Sequence, residues 1–253
     1  MIRPARLFLC ALQFLTRLPT LSVDFQPDDV TRSAPFYPVV GWIVGALCAG
    51  VLLVASRFWP GLPAGALAIA AGLLITGGFH EDGLADTADG LGGGQTPARR
   101  LEIMKDSRTG SFGVLAVWAA LTLKAAMLAS MTSVRAATAL VLAHGAARAL
   151  AVVAMGALPY ARNPEEAKLK PAPIGVRPTE ALIALALGLA PLFWFDPAHG
   201  VAGVALAAGG GGFLALTARR LIGGYTGDVL GAIEQVSEVG LLLGLGALPL
   251  HPA

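Results

Sequence analysis

The sequence predicts an all-α fold: a polytopic membrane helix bundle of about seven transmembrane helices, N-terminus cytoplasmic, plus an N-terminal interfacial helix. Three observations carry that prediction. Hydrophobic residues make up 55% of the chain and charged ones 13%, with a mean hydropathy of +0.69, more apolar matter than an ordinary soluble domain can bury. The apolar residues gather in runs of about twenty, the length a helix needs to cross a bilayer. The basic residues fall in alternate loops: a cytoplasmic N-terminus puts fourteen of the 18 lysines and arginines on that side and only Arg57 and Arg135 on the other. The spans use up the length, so residues 1–253 read as a single integral membrane domain. A formal charge of +2, with its bases scattered over short loops, argues against nucleic acid as a partner. Membrane lipid is the expected surrounding, and a homo-oligomer is compatible with it.

Each element follows in order. Met1 to Leu18 has early arginines and an apolar middle interrupted by Gln13, Thr16 and Arg17, with no small-residue cleavage site after it. It is expected to be a retained amphipathic helix in the interface. Phe36 to Phe58 is the first span and Ala64 to Phe79 the second, joined by a tight turn at Pro60 and Pro63. A polar island, Gly78 to Gly113, then interrupts the apolar chain and contains no run long enough to re-enter the bilayer. Val114 to Met131 is the third span, broken only by Lys124, and Val134 to Leu158 the fourth, carrying His144 and Arg148. Pro159 to Pro178 is polar and proline-rich, expected to be a solvent-facing lid or binding loop. The fifth span, Thr179 to Phe195, is expected to bend at Pro191, and the sixth, Gly200 to Thr217, to be loosened by Gly209 to Gly212. After a glycine-rich turn at Gly223 to Asp228, the last helix can reach Leu250 if Glu234 and Glu238 face protein rather than lipid. Cys10 and Cys48 lie in apolar segments without ligand spacing and read as packed thiols.

The chemistry concentrates in the island. On a helix, Asp82, Asp86 and Asp89 stand at i, i+4 and i+7 and project within roughly 60° of one another. Three like charges so close repel, take up protons or share a cation, and a hard divalent ion with oxygen ligands resolves the conflict. Zinc suits the set less well, since His80 is the only nearby nitrogen, and EF-hand spacing is absent. Further along, Lys105, Asp106, Ser107, Arg108, Thr109 and Gly110 bring two cations, two hydroxyls and a glycine together, a composition suited to phosphate oxygens.

At the last turn, Gly227 and Asp228 open a helix whose first amides favour an anion, and Asp228 can serve as cap or as metal ligand. Inside the membrane, Arg148 lies one turn from His144 and can meet an anionic substrate, while Lys124 can snorkel or pair with Glu238. The chain carries no Ser-His-Asp arrangement, P-loop or Rossmann signature. The residues point to metal-assisted handling of a phosphate or diphosphate at a membrane surface.

Three motifs in order resemble the cobalamin synthase family of adenosylcobinamide-GDP ribazoletransferases. They are Glu81-Asp82-Gly83-Leu84-Ala85-Asp86-Thr87-Ala88-Asp89-Gly90, then Lys105-Asp106-Ser107-Arg108-Thr109-Gly110, and Gly224-Tyr225-Thr226-Gly227-Asp228-Val229-Leu230-Gly231-Ala232. Phe14-Leu15-Thr16-Arg17-Leu18-Pro19 is similar as well. The resemblance implies an integral enzyme of the bacterial inner membrane with its site toward the cytoplasm. Its reaction joins adenosylcobinamide-GDP to α-ribazole or α-ribazole 5′-phosphate and releases GMP, with Mg²⁺ as cofactor. On that footing Asp82, Asp86 and Asp89 hold Mg²⁺, with Glu81 or Asp228 joining them. Lys105 and Arg108 grip the diphosphate, helped by Ser107, Gly110, Arg148 and Thr226, and Asp89 or Asp106 accepts the proton.

The chain departs from the family pattern where Arg162-Asn163-Pro164-Glu165-Glu166 replaces a glycine-containing stretch expected after Tyr160-Ala161-Arg162, so ligand roles are withheld from that loop. Two other readings stand beside this one. A CDP-alcohol phosphotransferase also sets aspartates on membrane helices around metal, but its motif has arginine where Asp86 stands and a distal aspartate pair not found here. An ion-coupled transporter would use Lys124, Arg148, Glu234 and Glu238 as an intramembrane relay.

Overall fold

The computed structural model describes residues 3–21, 26, 28–163 and 174–247, and among these it is a helix bundle without β-strands. Helix α1 (Arg3–Leu15) is amphipathic and lies against the entry to the bundle, with Cys10, Ala11 and Leu15 buried. Its Phe14 stacks on Tyr37 at 5.9 Å and meets Phe79 edge-on at 5.5 Å. Short α2 (Asp29–Arg32) and a 3₁₀ turn (Ala34–Phe36) lead into α3 (Tyr37–Ala55), and Asp29 holds Arg6 of α1 at 3.0 Å. There follow α4 (Leu62–Thr76), α5 (Phe79–Gly93), α6 (Pro97–Ile103), α7 (Ser111–Ser130) and α8 (Ser133–Ala157). Then come α9 (Pro178–Phe195), α10 (Pro197–Ile222) and α11 (Gly227–Leu245).

Five of these runs are long and apolar enough to cross a membrane: Ala34–Ala55, α7, α8, α9 and α10. A sixth span results if α4 and α5, bent by 91° at their junction, are taken together. The seven expected spans therefore map onto five such helices, the bent pair, and α11, whose Asp228, Glu234 and Glu238 set it apart from a lipid-facing segment. Glu234 and Glu238 do face protein, with 1% and 2% of their surface exposed.

The bundle centres on α8 and α11. Small residues let backbones come close: a Cβ on Gly45 of α3 would stand 2.7 Å from the Leu140 carbonyl oxygen of α8. Gly210 and Gly211, expected to loosen α10, lie within one continuous helix and pack on Val236 and Ser237 of α11. Cys10 and Cys48 are buried free thiols, as expected.

The first half of the island is where structure and sequence expectation part. Gly77 and Gly78 both take positive φ, 72° and 69°, a conformation costly for other residues, and end α4 three residues before the expected Phe79. The chain then turns back as α5, whose His80, Gly83, Leu84, Ala85, Thr87, Asp89 and Gly90 are buried against α11 and α7. The island is thus a packed helix, because its small residues supply a contact face that the charge count conceals. Residues 164–173 of the expected lid lie outside the described residues.

Candidate functional site

The site is built where α5 meets α11. A Cβ on Gly83 would stand 2.7 Å from the Asp228 carbonyl oxygen, and one on Gly231 would stand 3.2 Å from that of His80. The first contact excludes a Cβ and the second leaves little room for one, and this close approach brings the start of α5 against the first turns of α11. Thr226 caps α11 by accepting the Val229 amide at 3.3 Å, so Asp228 is released from that duty and its carboxylate meets Arg162 at 3.2 Å. Arg162 reaches that position because its strand-like segment is stitched to the turn before α11. The Tyr225 amide donates to the Pro159 carbonyl at 2.9 Å and the Ala161 amide to the Tyr225 carbonyl at 2.8 Å.

Two spaces adjoin here. A cavity of about 280 Å³, the more enclosed of the two though open on one side, is walled by aromatic and apolar side chains of α1, α3, α5 and α8, with Arg148, Arg162, Asp82, Asp228 and Glu234 as its charged lining. An open cleft of about 810 Å³ runs from Arg17 past the Gly77–Gly78 turn to Thr109 and the start of α7, and is bordered by Glu81 and Asp82. Asp82 borders both spaces, as do the rings of Phe14 and Phe79. The Phe14–Pro19 stretch belongs to this wall, with the Arg17 amide fixed on the Ile75 carbonyl at 2.7 Å.

The expected site residues fall into three groups. Glu81 and Asp82 border the cleft from α5 and Asp86 follows one turn on, Asp82 exposed and the other two half-buried. Glu81 Oε2 is buried without a hydrogen-bond partner. Arg148 and Asp228 line the enclosed cavity. Lys105, Ser107 and Arg108 are exposed and line neither space, although Thr109 of the same segment lines the cleft.

Several expected roles change. Asp89 is buried and gives its two carboxylate oxygens to the amides of Gly110 at 2.6 Å and Gly113 at 2.9 Å, which caps α7. That arrangement replaces the expected metal and proton roles of Asp89 and the ligand role of Gly110 with a structural one. Asp106 accepts from Arg108 at 2.6 Å, and the guanidinium lowers its pKa to about 2, which makes it a weak base. Arg108 is correspondingly engaged rather than open to a diphosphate. Thr226 is fully buried as the α11 cap.

The metal expectation can be tested against the donors present. Glu81, Asp82 and Asp86 offer only carboxylate oxygens, the donor type that suits Mg²⁺, and Glu81 Oε2 is buried without a hydrogen-bond partner, but their oxygens do not converge as a set of three within 4.8 Å. The one set of three metal-capable side chains within 4.8 Å among the described residues is His144, Glu234 and Glu238. Those three are committed elsewhere: Lys124 and His144 each lie 3.1 Å from Glu238, and Arg148 lies 2.8 Å from Glu234. Gln235 joins the two halves, accepting from Lys124 at 2.7 Å and donating to Glu234 at 2.9 Å. With two fixed cations inside it, this cluster is an ion-pair network and a poor fit for a divalent ion.

Sequence reading passed over Arg162, Tyr160, His80 and Tyr37, all of which line the enclosed cavity. For Arg162 the signal was present in Tyr160-Ala161-Arg162, just ahead of the departure from the family pattern.

The cobalamin-5-phosphate synthase family matches residues 7–246. An adenosylcobinamide-GDP ribazoletransferase of Leptothrix cholodnii is 45% identical over 258 residues, covering 96% of each chain. One of Ralstonia pickettii is 44% identical, covering 93% of each, and one of Shewanella frigidimarina 39%, covering 94% of this chain and 93% of its own. No solved structure matches the chain.

Proposed function

The chain belongs to the cobalamin-5-phosphate synthase family, and from that membership we infer that it joins adenosylcobinamide-GDP to α-ribazole or its 5′-phosphate, releasing GMP. This is the last stage of adenosylcobalamin assembly. The observation that carries the mechanism is the position of Asp82, the acid common to the enclosed cavity and the open cleft.

A hydroxyl of the acceptor attacks the cobinamide-linked phosphorus in line. The new P–O bond forms as the bond to the GMP oxygen breaks, and the hydroxyl gives up its proton. Glu81, Asp82 and Asp86 would hold Mg²⁺, which when bound neutralises the diphosphate and the GMP leaving group. The chain's own residues position the reactants and supply charge, the main source of rate in phosphoryl transfer. We assign the proton to Asp228, which lines the cavity and is held there by Arg162 at 3.2 Å and Thr226 at 3.3 Å. Lys105, beside the cleft-lining segment, meets the outer phosphates as the donor settles.

The distribution of lysine and arginine supports a bacterial inner membrane protein with this site toward the cytoplasm. Asp82→Asn and Asp86→Asn, each assayed at limiting Mg²⁺, are expected to lower GMP release by about a hundredfold or more. Near-normal release by both variants would remove the metal assignment.

A further inference from the structure

The two spaces that meet at Asp82 differ in kind. The enclosed one, about 280 Å³, has Phe14, Tyr37, Phe79 and Tyr160 around it with Val152 and Met155, and is small even for a small-molecule pocket. Its rings are held by other rings: Phe14 lies on Tyr37 with 22° between their planes, and Tyr160 stands edge-on to Tyr225 at 5.3 Å. Pre-set aromatic walls suit a flat ring system entering by stacking or by its edge. The open cleft is about 810 Å³ and unroofed.

The two substrates differ in the same way. The donor carries a corrin macrocycle and a nucleotide, far too bulky for the enclosed space. The acceptor is a two-ring benzimidazole on a ribose, with or without one phosphate.

Arg162 adds an independent observation. Its side chain is more than nine-tenths buried, yet among the described residues its Nε has no partner, and its contacts there are one Asp228 oxygen at 3.2 Å and the Leu101 carbonyl at 3.4 Å. A buried guanidinium with a donor left over is a site for a further anion, and its planar fork matches phosphate. Arg148 shares an unpartnered buried Nε, but its Nη1 is already held by Glu234 at 2.8 Å and the His144 carbonyl at 2.9 Å.

We propose that the enclosed cavity is the acceptor subsite, taking the benzimidazole among Phe14, Tyr37, Phe79 and Tyr160, with Arg162 binding the sugar phosphate. The donor lies in the open cleft, so its phosphorus and the acceptor hydroxyl meet at Asp82. This assignment rests on the ribazole transfer reaction inferred above, and its test separates the two. Equilibrium dialysis of α-ribazole and of its 5′-phosphate against the purified protein in detergent reads binding without turnover, and GMP release is measured alongside.

Ala151, on the cavity wall, is the site for filling it. Ala151→Trp is expected to weaken both acceptors by about tenfold or more and to leave the KM for adenosylcobinamide-GDP within about twofold, with Ala151→Leu intermediate. Arg162→Gln is expected to weaken the phosphorylated acceptor about fivefold more than the free one. Unchanged acceptor binding in folded Ala151→Leu and Ala151→Trp, or a raised donor KM instead, would overturn the subsite. Equal losses for both acceptors in Arg162→Gln would overturn the phosphate role. Acceptor binding by the wild type, lost in Ala151→Trp, sustains the subsite even if no GMP is released; that lack of release would count against the reaction alone.

Discussion

Asp82 and Asp89 share one face of α5, yet one opens on two spaces and the other caps a neighbouring helix. Their substitutions should therefore separate stability from chemistry. Asp89→Ala leaves two α7 amides without an acceptor and is expected to cost about 1–2 kcal/mol, read as a lower melting temperature in detergent, with turnover per folded molecule largely kept. Asp82→Asn is expected to do the reverse.

Asp106 gives a prediction about pH. Its folded pKa, about 2, lies below that of the unfolded chain, so its pairing with Arg108 is present above the ordinary carboxylate range and is lost as pH falls from about 4 toward 2. Any acid limb of the rate above about pH 5 must come from other groups, and Asp106→Asn should leave its midpoint in place. The i, i+4, i+7 spacing made the acidic face legible in the sequence. What the third carboxylate meets was not, because Gly110 and Gly113 lie twenty-one and twenty-four residues further on.

Among the elements, the contact between α5 and α11 decides the site. Gly83→Ala forces a Cβ to within 2.7 Å of the Asp228 carbonyl oxygen, so the helices must part. The expected cost is about 1–3 kcal/mol, with a fall in kcat of about tenfold or more as Asp82 and Asp228 separate, measurable by melting and by GMP release. Most helices could be read from their apolar runs, and α3, α7, α8, α9 and α10 stand close to where those runs put them. The burial of α5 could not, because charge density marks a solvated face equally well, and the contact of Gly83 with Asp228 joins positions far apart in sequence. The strand-like bridge that delivers Arg162 is equally non-local: Pro159 and Tyr225 are joined by tertiary hydrogen bonds that leave no periodic trace.

In the whole molecule, the interior holds Lys124, His144, Arg148, Glu234 and Glu238 as mutually paired charges, with Arg148 and Glu234 on the cavity wall and the others behind them. The Lys124–Glu238 pair was readable from the sequence, since two opposite intramembrane charges need each other. The Arg148–Glu234 pair was not, as it depends on how α8 and α11 are rotated. Lys124→Met leaves Glu238 short of a counter-charge and is expected to cost about 3–5 kcal/mol, while Lys124→Met with Glu238→Gln should recover part of that loss in a double-mutant cycle.

The reaction inferred for the chain is transfer of the cobinamide phosphate to the ribazole acceptor. Its most direct test is incubation of the purified protein in detergent with adenosylcobinamide-GDP, α-ribazole or its 5′-phosphate, and Mg²⁺, scoring GMP and the corrinoid product together. Equimolar GMP and cobalamin, or cobalamin 5′-phosphate, lost on chelation of Mg²⁺, is the result predicted; absence of both products with either acceptor would contradict it.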